Sequence, residues 1–473
     1  MASSRKSPPG KDLPARVSAV ISQHVRRGDR LVAGLSGGVD SVVLVDVLRR
    51  LSDKAGFQLA AVHVNHQINP AAARWARFCR AYCKQHHVAL RVVKVVVPPG
   101  ASLEASARTV RYRALAAVPA EFIVLAHNLD DQAETVLLQL LRGAGVKGAS
   151  AMPVLRIEDR GSRIEEHATS TAKRNGYPRS SILNPAILRP LLEIPRHEIE
   201  AYARRRKLAW VDDDSNADVA FDRNFVRHRV LPIVAERFPA YRKTLARASR
   251  NFAEAAQLLD DLALADAQVT ATGLKLVELR QLSVLRAKNV VRNYLASFGV
   301  MMPSASRLAE CVRQVRQARA VRIVIDVGDY ELRRYGGELR LVDKAASPAR
   351  DFSCGWAGES RLRIPELGGT LSMIRCRGSG ISLMKLAAAA VTVRVRQGGE
   401  RLCVHAQRPR RSLKNLLQEA RVPPWLRDGL PLLFCGEALV YVPGMGIDTA
   451  FQAHGNERSV VPSWHADAGL SAG

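Results

Sequence analysis

The chain has 473 residues and a hydrophobic content of 47%, enough to fill several cores, so roughly two to four domains are expected. Lysines and arginines number 71 against 44 acidic residues, a net charge of +27 that points to a polyanionic partner. Nucleic acid fits better than a membrane, because no long basic amphipathic anchor and no bilayer-length apolar stretch is present; a basic surface kept only for solubility is the alternative. Seven dispersed cysteines without a Cys-x-x-Cys pair argue against zinc or iron–sulfur centres and for reduced thiols in a cytoplasmic protein.

Residues 1–15 are rich in Ser, Pro and Lys and read as a disordered basic tail. The first apolar run, Leu31 to Leu35, leads into Ser36-Gly37-Gly38-Val39-Asp40-Ser41 and then an amphipathic stretch from Val42 to Leu48. Adjacent glycines let the backbone turn tightly and bring N–H groups against a ligand, and the helix N-terminus behind them adds partial positive charge. Ser36 and Ser41 offer hydroxyls, and a carboxylate at Asp40 makes sense beside phosphates if it holds a magnesium ion. The same residues also suit a plain strand–turn–helix junction in which Asp40 or Ser41 caps the helix.

Strand-like runs recur at Leu59 to Val64, Ala89 to Val97 and Phe122 to Ala126, separated by helical patterns at Ala71 to His87, Leu103 to Val118 and Gln132 to Arg142. This alternation predicts an α/β fold, a doubly wound and mostly parallel sheet over 16–215, with ligands at the carboxyl ends of its strands. Residues 156–183 turn polar and lose periodicity, which reads as an exposed insertion. A helix is expected from Pro195 to Arg206. Helical, arginine-rich sequence from Asn224 to Gln268 and a helix at Arg307 to Ala318 place a mainly helical domain at 216–345. It closes with a strand at Val321 to Val327 and a hairpin pairing Tyr330 to Tyr335 with Leu339 to Val342 across Gly336-Gly337. A small α+β domain is expected at 352–460, with strands at Val391 to Val395 and Leu439 to Val442 and a basic helix at Ser412 to Ala420.

The S-G-G-x-D-S run at 36–41 resembles the signature of the PP-loop ATP pyrophosphatases, and no Walker or G-x-G-x-x-G motif competes with it. Further blocks resemble one subfamily, the tRNA(Ile)-lysidine synthetases. They are His63-Val64-Asn65-His66, Glu104 to Arg108 with Arg111-Tyr112, and Ala126-His127-Asn128-Leu129-Asp130-Asp131-Gln132-Ala133-Glu134-Thr135 with Leu141 to Gly145. Others are Asn184-Pro185, Arg189-Pro190-Leu191-Leu192, Asp213 to Asn216, Arg223-Asn224-Phe225-Val226-Arg227, Ser412 to Leu417 and Val422 to Trp425 with Arg427. Asn128 stands where the family often has a second histidine.

Read by themselves, His127, Asp130, Asp131 and Glu134 lie at a strand end and on the helix behind it, so they converge on a cleft. The carboxylates there suit magnesium or an ammonium group, while capping by Asp130 or Asp131 is the ordinary alternative. Arg108 and Arg111 share a helix face and suit triphosphate or RNA backbone, or a simple solvated face. Arg223 and Arg227, beside His228 and Arg229, and Lys414, beside Arg408 to Arg411, form basic elements suited to RNA phosphates or to solvent. Tyr112 and Trp425 suit base stacking or packing, and His63 and His66 suit hydrogen-bonding or core roles.

The resemblance implies ligation of L-lysine to C2 of the wobble cytidine of a CAU-anticodon tRNA(Ile), through an adenylated cytidine, which changes decoding from AUG to AUA. It implies ATP on Ser36, Gly37, Gly38, Val39, Asp40 and Ser41, with Mg2+ on Asp40, and catalytic roles for Asp40, Arg108, Arg111, His127 and Asp130. Substrate and tRNA would meet Asp131, Glu134, Arg223, Arg227 and Lys414. No membrane partner is expected, and a homodimer is among the expected assemblies. Rival readings are an iron–sulfur tRNA thiolase, for which paired cysteines are missing, and a non-catalytic RNA-binding protein.

Overall fold

Five parallel strands and one antiparallel edge strand build the first sheet, in a computed structural model that describes residues 13–98, 103–157, 185–212, 217–270, 273–317, 323–344 and 351–466. Most of the tail, the polar insertion beyond residue 157 and the block at 213–216 lie outside the described residues. The described residues up to Leu259 form one compact unit and those from Asp260 onward a second. No described helix is long and apolar enough to cross a membrane.

The first unit opens with α1 (Leu13–His24), β1 (Arg30–Gly34), α2 (Val39–Ala55), β2 (Gln58–Asn65), α3 (Ala72–Gln85) and β3 (Ala89–Lys94). It continues through α4 (Leu103–Ala116), β4 (Phe122–Val124), α5 (Leu129–Leu141), the single turn α6 (Val146–Ala149), β5 (Leu155–Arg156), β6 (Ala186–Leu188) and α7 (Arg196–Arg206). The strand order is β3-β2-β1-β4-β6-β5, with β5 antiparallel to β6. Leu31, Val32 and Ala33 of β1 are all buried, as expected of a strand covered on both faces. Because β1 pairs with β2 on one side and β4 on the other, the direction of winding reverses between β1 and β4. Ligands of such sheets bind beyond the strand ends at that reversal. The loop after β1 and the segment after β4 therefore face each other there.

On one face of the sheet α1, α2 and α7 share a core that includes Leu13, Val17, Val43, Leu44, Ile199 and Tyr202. On the other, Leu115 and Val118, from α4 and just beyond it, pack on Val32, Val62 and Ile123. Cys79 and Cys83 are buried in the first of these cores. Helix α2 also carries Asp46, which is 1% exposed. Tyr202 Oη donates to its Oδ2 at 2.7 Å, and Arg49 and Arg206 stand 3.6 Å away. A buried carboxylate is tolerated only when paired and hydrogen-bonded in this way, so Asp46 fastens α2 to α7.

The division between units falls at Leu259, beyond the domain boundary expected at 216. The reason is apolar packing: Val226, Leu231 and Tyr241 bury themselves with Ala133 of α5. They lie on a π-helical turn over Val226–Val230, on α9 (Leu231–Arg237) and on α10 (Tyr241–Asp266), which follow the short α8 (Asp222–Phe225).

In the second unit α11 (Leu276–Gln281), α12 (Val284–Ser297) and α13 (Ala305–Gln317) share a core with an antiparallel sheet. Its strand order is β7-β10-β9-β8, from β7 (Leu274–Lys275), β8 (Val324–Asp326), β9 (Tyr330–Tyr335) and β10 (Glu338–Asp343). The expected hairpin is present, with Tyr335 opposite Glu338 and with Gly336 and Gly337 at φ +59° and +83°. Two positive φ values are what a two-residue hairpin turn requires. This region is thus helices packed on a sheet, formed by the expected strand and hairpin with β7 added at the edge. Residues 353–466 add three antiparallel sheets, of five, four and two strands, the four-stranded one pairing 369–377 with 458–466 along their whole length. Trp425 packs edge-on against Tyr335 at 5.8 Å, and Tyr335 Oη donates to Val422 O at 3.1 Å.

Replacing Tyr202 by Phe removes the donor to Asp46 and leaves a buried carboxylate oxygen short of a partner. The expected cost is about 1–3 kcal/mol, read as a lower urea midpoint at unchanged m-value; an unchanged midpoint would mean that solvent already satisfies Asp46.

Candidate active site

Gly37 takes φ +99°, a left-handed conformation suited to glycine, and an added Cβ would lie 2.8 Å from Val211 Cγ2. Its carbonyl accepts from Val211 N at 3.0 Å, so the turn is pinned from the strand side and from the segment after α7. The loop closes on its own hydroxyls. Ser41 Oγ accepts from the N–H groups of Ser36 and Gly37, both at 3.2 Å, and donates to Gly38 O at 2.9 Å. Ser36 Oγ accepts from Gly38 N at 3.3 Å. Those N–H contacts are long for hydrogen bonds, so an anion can replace the hydroxyls at small cost. Gly38 is the N-cap of α2 and no side chain caps the helix, so neither Asp40 nor Ser41 serves as the cap. The first N–H groups of α2 are left for a ligand, as at other helix N-termini that bind phosphate.

Asp40 lies in the first turn of α2, and its Oδ1 accepts from Asn128 Nδ2 at 3.0 Å. Burial, reinforced by the negative charge of Asp131, pushes its carboxyl up to about 6, against the opposing pull of Arg196, Asn128 and Arg227. A carboxylate held this far from comfort gains from a nearby cation. Among the described residues no group of three or more His, Cys, Asp or Glu side chains converges as a metal cage. One carboxylate beside a phosphate-binding loop fits magnesium, which is commonly held by one or two carboxylates together with substrate phosphates.

Asn128, 2% exposed, does more than replace a histidine. Its Oδ1 accepts from the N–H groups of Asp130 and Asp131, each at 3.0 Å, while Asp131 Oδ2 accepts from Asn128 N at 3.0 Å. This capping box starts α5. With its amide on Asp40, one side chain couples the start of α5 to the start of α2.

The structure brings His127, Asp130, Asp131 and Glu134 together as the sequence suggests, but each is already engaged. Asp130 Oδ2 accepts from Arg196 N at 2.9 Å and its Oδ1 from Arg242 Nε, which ties α5 to α7 and α10. Glu134 is 1% exposed and accepts from Arg223 Nε at 2.8 Å and Arg227 Nε at 2.6 Å. Asp131 Oδ1 accepts from the same two arginines at 2.9 and 3.2 Å. Arg223 and Arg227 therefore face the carboxylates of α5, and their side chains are about a quarter exposed. Burial drives the His127 imidazole well below its ordinary value, helped by Arg189, Arg223, Arg108 and Arg111. Arg108 and Arg111 are exposed on α4, with Arg108 over the Tyr112 ring at 5.2 Å. His63 Nδ1 donates to Leu35 O at 2.8 Å and so buttresses the loop from behind. In the second unit Lys414 is exposed on the helix Leu413–Glu419, while Arg410 and Arg411 pair with Asp448 and Glu419.

Two residues of this constellation, Arg196 and Arg242, follow no local pattern in the sequence, whereas Arg189 belongs to the Arg189-Pro190-Leu191-Leu192 block that carries part of the resemblance without indicating a role at the site.

Three family models match along the chain: the PP-loop domain over residues 11–234, the TilS substrate binding domain over 274–340 and the TilS substrate C-terminal domain over 391–464. A tRNA(Ile)-lysidine synthase of Nitrosomonas europaea is 42% identical over 452 residues, covering 94% of each chain. The chain belongs to the tRNA(Ile)-lysidine synthase family. A synthase of that name from Azoarcus sp. strain BH72 is 39% identical over 92% of this chain and 91% of its own. One from Yersinia pseudotuberculosis is 34% identical over 92% of this chain and 93% of its own. The family's PP-loop domain coincides with the parallel sheet, the open start of α2 and the carboxylates of α5.

Two outcomes test the site. Asn128→Ala removes both the cap of α5 and the amide on Asp40, so it should cost about 1–2 kcal/mol of stability and reduce ATP-dependent pyrophosphate release; full activity would show that Asp40 needs no orienting partner. Asp40→Asn should abolish that release. Because folding raises the Asp40 pKa from 3.8 to about 6, its ionisation opposes folding in magnesium-free protein as pH rises through about 6. The variant should therefore melt higher than wild type at pH 8, with the gap closing towards pH 4; equal melting temperatures throughout would exclude a strained carboxylate.

Proposed function

We propose that this chain carries out the reaction for which its family is named, ATP-dependent formation of lysidine on tRNA(Ile), as a ligase. The observation that carries the reading is the pairing of an uncapped α2 start and glycine turn with the Asp40 carboxylate, within a chain whose relatives match over nearly full length. The N–H groups of that turn and of α2 would receive the ATP phosphates. Bound magnesium, held by Asp40 and the phosphates, would neutralise charge on the departing pyrophosphate. Cytidine O2 attacks the α-phosphorus and pyrophosphate leaves; the lysine ε-amine then attacks C2, and AMP leaves with the C2–O bond broken and a C2–N bond formed.

Lysine needs an anionic partner for its ammonium group, and the α5 carboxylates are the acidic groups at this end of the sheet, offered in competition with the arginines that already pair with them. Asp131 is the more open of the two and Glu134 the more buried, and both already pair with Arg223 and Arg227, so an incoming ammonium shares Asp131 with those guanidinium groups. Arg108 and Arg111, exposed near the cleft, suit the triphosphate or the RNA backbone, and Lys414 with its basic neighbours suits phosphates elsewhere on the tRNA. The net charge of +27 supports a polyanionic substrate. The reading includes a cytoplasmic location, consistent with seven free cysteines among the described residues.

Pyrophosphate release measured with tRNA, lysine and ATP, each omitted in turn, separates this reading from its rivals. Release should require ATP and CAU-anticodon tRNA, with AMP and lysine-modified tRNA appearing only when lysine is added. AMP and amino-acid-modified tRNA formed with another amino acid in place of lysine, or modification by sulfur transfer, would overturn it.

A further inference from the structure

Arg189 is 2% exposed, and the ordinary place for so buried a guanidinium is against a carboxylate. Its Nη1 donates instead to Pro153 O at 2.8 Å, and its Nε to His127 Nδ1 at 3.3 Å. The two residues are brought together by sheet register. β4 and β6 run parallel, with Val124 beside Leu188, and Leu125 N donates to Leu188 O at 2.9 Å. Three residues after β4 and one after β6, the chains reach His127 and Arg189 at the same end of the sheet. The Arg189 main chain is held too, its N–H donating to Val154 O at 2.8 Å.

A guanidinium has donors and no acceptor, and it does not lose its proton in a protein. The imidazole nitrogen facing it must therefore be the one without a proton. We propose that Arg189 is a positioning residue that holds His127 as the neutral tautomer with its proton on Nε2. His127 then serves the reaction as a fixed hydrogen-bond donor from Nε2, aimed at charge that develops in the cleft, and not as an imidazolium acid. The charges around it agree. Arg189 beyond β6, Arg108 and Arg111 on α4, and Arg223 on α8 all act against a protonated ring, as does burial. A neutral histidine donor costs no proton transfer and keeps its direction throughout the reaction.

This inference rests on the lysidine-forming reading only for the identity of the reaction, and a spectroscopic test separates the two. In protein labelled with 15N-histidine, the His127 ring, assigned by its loss in His127→Asn, should show a protonated Nε2 and an unprotonated Nδ1. It should stay neutral through the range in which an ordinary imidazole titrates. Arg189→Met removes the donor while keeping an unbranched stem. In that variant the ring should become a mixture of tautomers and acquire a titration, and kcat for pyrophosphate release should fall on the order of tenfold to a hundredfold with KM for ATP little changed. Arg189→Lys, which retains a donor and a charge, should restore part of the tautomer preference. A protonated Nδ1 in the wild-type spectrum would overturn the proposal whether or not either variant folds. So would an Arg189→Met protein with an unaltered His127 spectrum. If the tautomer is as stated and no lysine-dependent product forms, the assigned reaction fails and the positioning role stands.

Discussion

Glu134 is a carboxylate with almost no access to water, and the first unit is organised around what that requires. Removing a carboxylate from solvent is costly unless an opposite charge and hydrogen bonds replace the lost hydration. Arg223 and Arg227 do both, and the same guanidinium groups also bind Asp131, one turn earlier on α5. The arginines are four residues apart, on one face of a helical turn, with the π-helical turn over Val226–Val230 beginning between them. Such turns are uncommon and often occur where side chains must be re-aimed. The consequence reaches past electrostatics. With its arginines committed to α5, the chain after residue 217 packs against the nucleotide-binding sheet's own helices, and the apolar side chains of Val226, Leu231 and Tyr241 close around Ala133.

Around this fixed wall the remaining groups are poised in opposite directions. Asp40 is held below its ordinary acidity by burial and by the field of Asp131, so it favours a cation or a proton. His127 is held below its ordinary basicity by burial and by four arginines, so it favours neutrality. Both shifts suit a site that receives a polyphosphate. The ligand's negative charge is met by oriented N–H groups and arginines, while the carboxylate is the natural place for a metal ion. Asn128 links the two halves, because its amide fixes Asp40 and its carbonyl oxygen begins the helix that carries Asp130, Asp131 and Glu134.

The first four parallel strands were legible from apolar runs alternating with helical periods, because a strand buried on both faces must be apolar throughout, whereas the short strands at 155–156 and 186–188 were not. The glycine loop was legible because only particular residues permit its turn. The Tyr330 to Val342 hairpin was legible from Gly336-Gly337, a pair that accepts two positive φ values. The middle region was harder. Its helices dominate by length; β8 falls inside the strand expected at Val321 to Val327, but β7 has two residues and is too short to leave a period of its own.

The residue types at the site and their local spacing were thus determined by the sequence, since glycine turns, capping boxes and helix faces are short-range matters. Which charge meets which was decided by the tertiary structure alone. Arg223 and Arg227 read as a basic surface until a buried Glu134, some ninety residues earlier, claims them. Arg189 reads as one cation among many until strand register sets it against His127. Local sequence carries no record of such pairings, because the desolvation that enforces them exists only once the sheet and its helices have excluded water.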